Sequence, residues 1–489
     1  MNNIGKYILI FLSYIFLLTG CSETTKENII YFGIAQKPQN LDPRFQSDAA
    51  SERISALLYS PLFYFNKKYE LESDIVDWKK ITPLKYKFRI KNRLPLFHHN
   101  KAMGIEDIVA TLNNLRTQEK SPFYIELNNI KSVNKLSKSD FEINLYKKDN
   151  NFLSRLAFFI LPEDLLSKKH NFSNNPIGSG AFVFLGKYPN LKIQRKKDSQ
   201  IIELVSIKDP TVRVLKLING EIDLLQNDLP LEMIKLLEGE DKINTIKEYG
   251  ANVSYIGFNF NDALLKNSKF RKALALGVDR QSLIKYFLND KTRISEQILP
   301  PEHWASGKID FSDYNPDLAR NYIKELNFNK PIILTLKTST DPFRVKIATL
   351  IQKQLEIIGV KLIIKSLDWG TYFKDIQEGK FQLYGLTWVG IRNPEIYEKI
   401  FNSSLTPPNG LNRGSYSDKE TDSLILEAKE SNMWNKVIKK IHIDNAFMPL
   451  WYEGNFAAFN NNISGYHVRI DGSWDALKTV RKKNGDFNY

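Results

Sequence analysis

Thr387, Trp388, Val389, Gly390, Ile391, Arg392 and Asn393 form the stretch best equipped to hold a small molecule. They offer an indole face, backbone donors and acceptors beside a glycine, one guanidinium and one amide. A guanidinium binds a carboxylate or phosphate through two parallel hydrogen bonds. Nothing in this set supplies a nucleophile beside a base. Elsewhere the chain has no HExxH, no Gly-x-Ser-x-Gly, no Walker A motif and no Cys/His metal spacing. We therefore expect no catalytic residues, no metal site and no cofactor. His98-His99 is the one histidine pair among six histidines and reads as a loop; His303-Trp304, after Pro300-Pro301, reads equally as a ligand-facing pair or as a loop.

The elements that position this stretch follow from spacing. Residues 381–389 run apolar and aromatic between Gly379 and Pro394, the signature of a buried strand. Two strands precede it, residues 332–337 and 360–365. Between them Val345, Ala348, Ile351, Leu355 and Ile358 recur at helical spacing, and Gly359 ends that helix. Asp368 is placed to cap a short helix before the third strand. This is a βαβαβ unit, whose strands lie parallel, and ligands of such sheets bind beyond the carboxyl ends of the strands. Residues 387–393 sit at that end.

Composition bounds the rest. A chain of 489 residues with 42% hydrophobic content buries a large core and exceeds one simple domain. The formal charge of +14 is spread along the chain, which fits a solvated Lys-rich surface rather than a nucleic-acid face. The single cysteine, Cys21, cannot form an internal disulfide. It follows Lys6, a twelve-residue apolar stretch over residues 7–18, and Thr19-Gly20. That stretch is too short to span a bilayer and fits a signal segment.

Several motifs together resemble the family 5 extracellular solute-binding proteins, the peptide- and nickel-type receptors of ABC importers. The run GVKLIIKSLDWGTYFKDIQEGKFQLYGLTWVGIRNPE, residues 359–395, is similar to the family's cleft-lining segment. Pro38-Gln39-Asn40-Leu41-Asp42-Pro43 resembles its early cleft turn, and Asn175 to Phe182 its Pro-Ile-Gly-Ser-Gly turn. Gly220-Glu221-Ile222-Asp223, the helix pair around Arg271 to Arg280, Tyr314 to Ala319 and Tyr416-Ser417-Asp418 with Asp422 add further matches. The ending Leu18-Thr19-Gly20-Cys21 resembles a bacterial lipobox.

The resemblance implies an α/β, two-lobed periplasmic-binding-protein-like (type II) fold with an inserted subdomain and a hinge between lobes. It implies a signal peptide over residues 1–20 and a tether over 21–28 with lipid on Cys21. Lobe one would span 29–46, 172–252 and 457–489, the inserted subdomain 47–171, and lobe two 253–456. The implied function is capture of peptides in the interlobe cleft by hinge closure, for ABC permease subunits, by a monomer on the extracytoplasmic (periplasmic) side. It implies no enzyme activity and no nucleic-acid partner. The alternative readings are a receptor for a non-peptide solute, an anionic compound or a metal chelate, and a non-transport lipoprotein that keeps the fold.

The same resemblance assigns ligand contacts to residues 387–393 and to Asn40 and Leu41. The backbones of Thr387 and Val389 would pair with an extended peptide, and Trp388 would pack beside a side chain. Peptide-binding relatives hold the ligand's amino terminus with an aspartate where this chain has Ile391. Arg392 follows it and is a candidate for a carboxylate or phosphate, with Arg344 and Arg413 as further candidates.

Overall fold

The computed structural model describes residues 28–46, 48–310, 314–408 and 410–483. Cys21 and the signal and tether segments before residue 28 lie outside the described residues.

Three sheets carry the molecule, and two of them define the lobes. The first lobe is built on seven strands in the order Ile243–Glu248, Asn455–Asn460, Leu224–Gln226, Ile29–Ile34, Ile201–Ser206, Leu191–Arg195 and Phe182–Phe184. Ile29–Ile34 is central and parallel to both neighbours. Its Ile30 and Phe32 are fully buried, and Phe32 meets Trp474 edge to face at 5.3 Å. Each such side chain contributes roughly 1.5–3 kcal/mol by leaving water.

The second lobe is built on six strands in the order Arg293–Ile294, Met448–Tyr452, Val253–Phe258, Leu383–Trp388, Ile332–Ser339 and Val360–Leu367. The βαβαβ unit read from the sequence is present. Ile332–Ser339 runs parallel to Val360–Leu367 along its whole length and parallel to Leu383–Trp388 at Leu336 and Lys337. The helix between the first two strands is Pro342–Ile357, capped by Asp341, and Gly359 takes φ +82° where the chain turns back. Asp368 caps Trp369–Gln377 as its position suggested.

The third sheet is antiparallel and belongs to the insert, in the order Val76–Thr82, Lys85–Ile90, Asp140–Leu145 and Ile130–Lys135. Helix Ile105–Thr117 covers it. Its cap is Gly104, whose N–H donates to Asp107 Oδ2 at 2.8 Å, and Asn100 before it has φ +65°. The insert's own core runs from Leu62 to Ile160. Helix Ala49–Leu58 lies in sequence with the insert, yet Ile54, Leu57 and Leu58 pack into the first lobe's core. The helix carries its apolar stripe on the face turned to the seven-stranded sheet.

The chain passes between the lobes twice, at residues 249–252 and 453–454. The two crossings touch. Glu453 N–H donates to the Asn252 carbonyl at 2.8 Å, and a Cβ added at Gly250 would sit 1.8 Å from the Glu453 carbonyl. The second crossing places all of Asn455–Asn460 in the first lobe, two residues ahead of the division the sequence suggested. No helix among the described residues is long and apolar enough to cross a membrane.

Candidate functional site

Strand Leu383–Trp388 reaches the space between the lobes with one edge paired and the other open. Val253–Phe258 lies antiparallel along its full length, whereas Ile332–Ser339 covers only Leu383 and Tyr384. Ser254 and Thr387 stand directly opposite, and their hydroxyls are 2.8 Å apart. Such close side chains mark a pair whose backbone groups point away from each other. The Gly385 carbonyl, two residues earlier, accepts from the Tyr372 hydroxyl on that outer side. With a period of two, Thr387 and Val389 direct their N–H and C=O groups to the open edge. Val389 is 37% exposed.

Behind this edge lies a polar network anchored on the second crossing. Glu453 Oε1 accepts from Ser254 Oγ at 2.7 Å, from Thr387 Oγ1 at 3.0 Å and from Arg344 Nη2 at 2.9 Å. Arg344 Nη1 also donates to Ser254 Oγ at 3.1 Å. Burial pushes the Glu453 carboxyl up, but Arg344, Ser254 and Thr387 outweigh it and hold it below the ordinary range. The Arg344 side chain keeps 36% of its surface accessible and the Glu453 side chain 31%, so the pair is reached by solvent where the second crossing leaves the lobe.

The other residues expected at the site fall into distinct places. The Trp388 ring stacks on Tyr255 at 5.6 Å with an interplanar angle of 1°, and the Arg413 guanidinium lies 4.8 Å from its centre. Trp388 is thus held by its own lobe. Arg413 is buried and bonds Tyr255 Oη at 3.3 Å, so it supports the indole rather than facing the cleft. Gly390 has φ +69°, a turn that favours glycine, and its N–H donates to Asn252 Oδ1 at 3.2 Å. Ile391 packs back against the second lobe's core. Arg392 Nη2 is 3.5 Å from Asp471 Oδ2 and 3.9 Å from Glu52 Oε1, both in the first lobe's packing, so carboxylates of this chain already face it. Asn393 Nδ2 donates to Ser154 Oγ of the insert at 2.7 Å.

The early turn departs from expectation. Asn40 is spent locally: its Oδ1 accepts from Asp42 N–H at 2.9 Å and its N–H donates to Ser51 Oγ at 3.1 Å. Leu41 is fully buried in the first lobe's core, with its carbonyl taking the Tyr59 hydroxyl. The turn's hydrogen bonds point its one apolar side chain inward, so Leu41 is not a ligand contact.

His98 and His303 are held by backbone groups. His98 Nδ1 accepts from Gly178 N–H at 3.3 Å, and its Nε2 lies 3.4 Å from the Gly180 carbonyl. His303 is 2% exposed; its Nδ1 accepts from Ala305 N–H, which leaves Nε2 to donate to the Arg392 carbonyl at 3.2 Å. Burial lowers its pKa to about 4, so the ring is neutral. Its ring packs 4.7 Å from Tyr69 of the insert.

Ser254, Glu453, Glu52 and Asp471 were missed in the sequence. Glu453 had a signal, being the lone charge in the apolar run from Phe447 to Phe459.

Comparison with known proteins gives the arrangement its place. Residues 77–404 match the model of the bacterial extracellular solute-binding proteins, family 5 Middle. The oligopeptide-binding protein AppA of Bacillus subtilis is 26% identical over 486 residues, covering 89% of this chain and 88% of that protein. The solved structure of AppA in complex with a nonapeptide superposes with a TM-score of 0.79 at 23% identity, over 93% of this chain and 99% of that one. NikZ from Campylobacter jejuni in complex with Ni(L-His) gives 0.80 at 21% identity, over 93% and 100%. With two thirds of its length in one family model and a two-lobed frame with an insert and a hinge, this chain belongs to the bacterial extracellular solute-binding proteins, family 5.

Proposed function

We propose that the chain is the receptor of an ABC importer that captures peptides between its lobes, closes about its hinge, and delivers them as a monomer to permease subunits. It acts by binding and catalyses no reaction. The observation that carries this reading is the open edge of Leu383–Trp388 beyond Tyr384, facing the interlobe space. An extended peptide adds to such an edge as a further strand, held by main-chain bonds that do not depend on its sequence. The name of AppA, an oligopeptide-binding protein matched along most of both chains, supports the same ligand class.

A non-peptide solute is the second reading. It is favoured by Ile391, which offers no carboxylate for a peptide's amino end, and by the Ni(L-His) complex of NikZ. Lipid on Cys21 would hold the receptor to the extracytoplasmic face of the membrane. Stable anchoring takes two or more acyl chains, at about 0.8 kcal/mol per buried CH₂. Cys21→Ala should then move the protein from the membrane to the soluble fraction; unchanged membrane retention argues against the anchor.

The ligand class is tested by native mass spectrometry of protein purified without refolding, followed by denaturation. A heterogeneous series of short peptides is the expected result. A single non-peptide mass would replace the peptide reading with the second one.

A further inference from the structure

Arg413 carries a buried charge that no described carboxylate answers. The loop that holds it, Asn412-Arg413-Gly414, is pinned on both sides. Asn412 Nδ2 donates to the carbonyls of Asn402 and Tyr416 at 3.0 and 2.7 Å, and its Oδ1 accepts from Tyr416 N–H at 2.9 Å. Gly414 lies so close to strand Val253–Phe258 that an added Cβ would meet the Phe258 carbonyl at 2.2 Å. The loop thus fixes where the side chain enters the lobe, and Arg413 is only 8% exposed.

Its neighbours attract the charge without neutralising it. The guanidinium lies 4.8 Å from the centre of the Trp388 ring and 5.4 Å from that of Phe373. Among the described residues it makes no ion pair, and its side chain's one hydrogen bond runs from Nη1 to Tyr255 Oη at 3.3 Å. Nε is buried and has no partner. A guanidinium keeps its proton inside a protein, and a buried charge with an unmet N–H is costly. Space for a partner adjoins it. Arg413, Tyr255, Trp388, Phe401 and Phe447 line a cavity with room for about one water-sized body. Asn412 and Tyr416 also line it, but their polar groups are spent, Tyr416 Oη on Thr421 Oγ1 and Asp444 Oδ2 at 2.8 and 2.5 Å. The walls are largely aromatic, and the edges of such rings carry partial positive charge. A water here would cap the N–H and leave the charge unanswered. A divalent oxyanion needs more room and more donors. A weakly hydrated monovalent anion of nearly water size meets both demands.

We propose that this cavity is a halide site, filled by chloride in solution and held by the Arg413 guanidinium behind the Trp388 indole. The anion supplies the counter-charge that the chain itself withholds. The site is independent of which solute the interlobe space takes.

The test uses the full chain in mild detergent, with bromide and chloride as probes. Crystals grown in bromide and measured at its absorption edge should show an anomalous peak against Arg413 Nε inside the cavity. In solution the unfolding midpoint of wild type should rise with chloride when ionic strength is held constant with gluconate, an anion too large to enter. Arg413→Gln should lose that rise. Where R413Q fails to fold, the bromide peak and the chloride-dependent midpoint of wild type decide. Bromide bound only on the outer surface overturns the site. So does a midpoint that chloride and gluconate move equally, which is screening alone, and so does a rise that persists in R413Q.

Discussion

At the hinge, Glu453 gathers Ser254, Thr387 and Arg344, all of them carried by the second lobe or by the crossing itself. At the insert, Arg155 joins Asp149 of its own module to Glu395 of the second lobe, at 2.6 and 2.8 Å. Asn151 adds a bond to Glu395, Asn150 reaches the carbonyls of Lys429 and Glu430, and Lys148 pairs with Glu430. The first network lies within the second lobe and its crossing, whereas the second joins the insert to the second lobe. If the lobes part as the proposed function requires, the first network would stay intact and the second would break, so the insert would act as a clasp on opening.

Breaking the clasp should give the largest effect. The Glu395 side chain is only 4% exposed, so Arg155→Met leaves a buried carboxylate unpaired, a loss of about 3–5 kcal/mol. If the lobes separate as the proposed function requires, opening relieves the strain. X-ray scattering should show a larger radius of gyration for R155M, and R155M/E395Q should recover most of the compact form. An unchanged radius would mean that the clasp does not govern opening.

His303 gives the insert side a pH dependence. Burial sets its folded pKa at about 4 against an ordinary value of 6.5. The unfolded chain binds the extra proton first, so His303 stabilises the fold above pH 6.5 and that stability is lost as pH falls towards 4. The loss is on the order of 3 kcal/mol, the free energy that separates a pKa of about 4 from one of 6.5. His303→Gln should flatten the fall of the unfolding midpoint over this window, and an identical slope would contradict the role.

The hinge should answer differently. Gly250→Ala places a Cβ against the Glu453 carbonyl, and overpacking of this kind costs about 1–3 kcal/mol. Its unfolding midpoint should fall with little change in radius. The smallest effect belongs to Lys346 and Glu232, paired across the lobes at 2.6 Å with side chains 43% and 58% exposed. Lys346→Ala should shift stability by no more than about 0.2–1 kcal/mol, less still at high salt. A large effect there would mean that exposed bridges share the clasp's work.

The second lobe was legible because its signals are local. Apolar spacing from Val345 to Ile358, a glycine at 359 and a cap at Asp368 define their elements without reference to the rest of the chain. The strand exit was legible for the same reason, since Pro394 ends the run that Thr387 to Asn393 close. The partners of that exit were not. Glu52, Glu453 and Asp471 come from three separate segments and meet the exit only when the two crossings bring the sheets together. Leu41 was assigned to the cleft through the resemblance of its turn, which carries no information on which way one side chain points; here that side chain lies in the first lobe's core. Helix Ala49–Leu58 was assigned to the insert by chain order, and its packing follows its apolar face instead.

The claim that the open edge of Leu383–Trp388 captures peptide backbone is tested most directly with N-methylated ligands. Isothermal titration would compare one captured peptide with two variants, N-methylated at odd or at even positions. Strand addition uses the N–H groups of alternate residues only, so one variant should lose binding and the other keep most of it. Equal affinity for both variants and the parent would contradict capture at this edge.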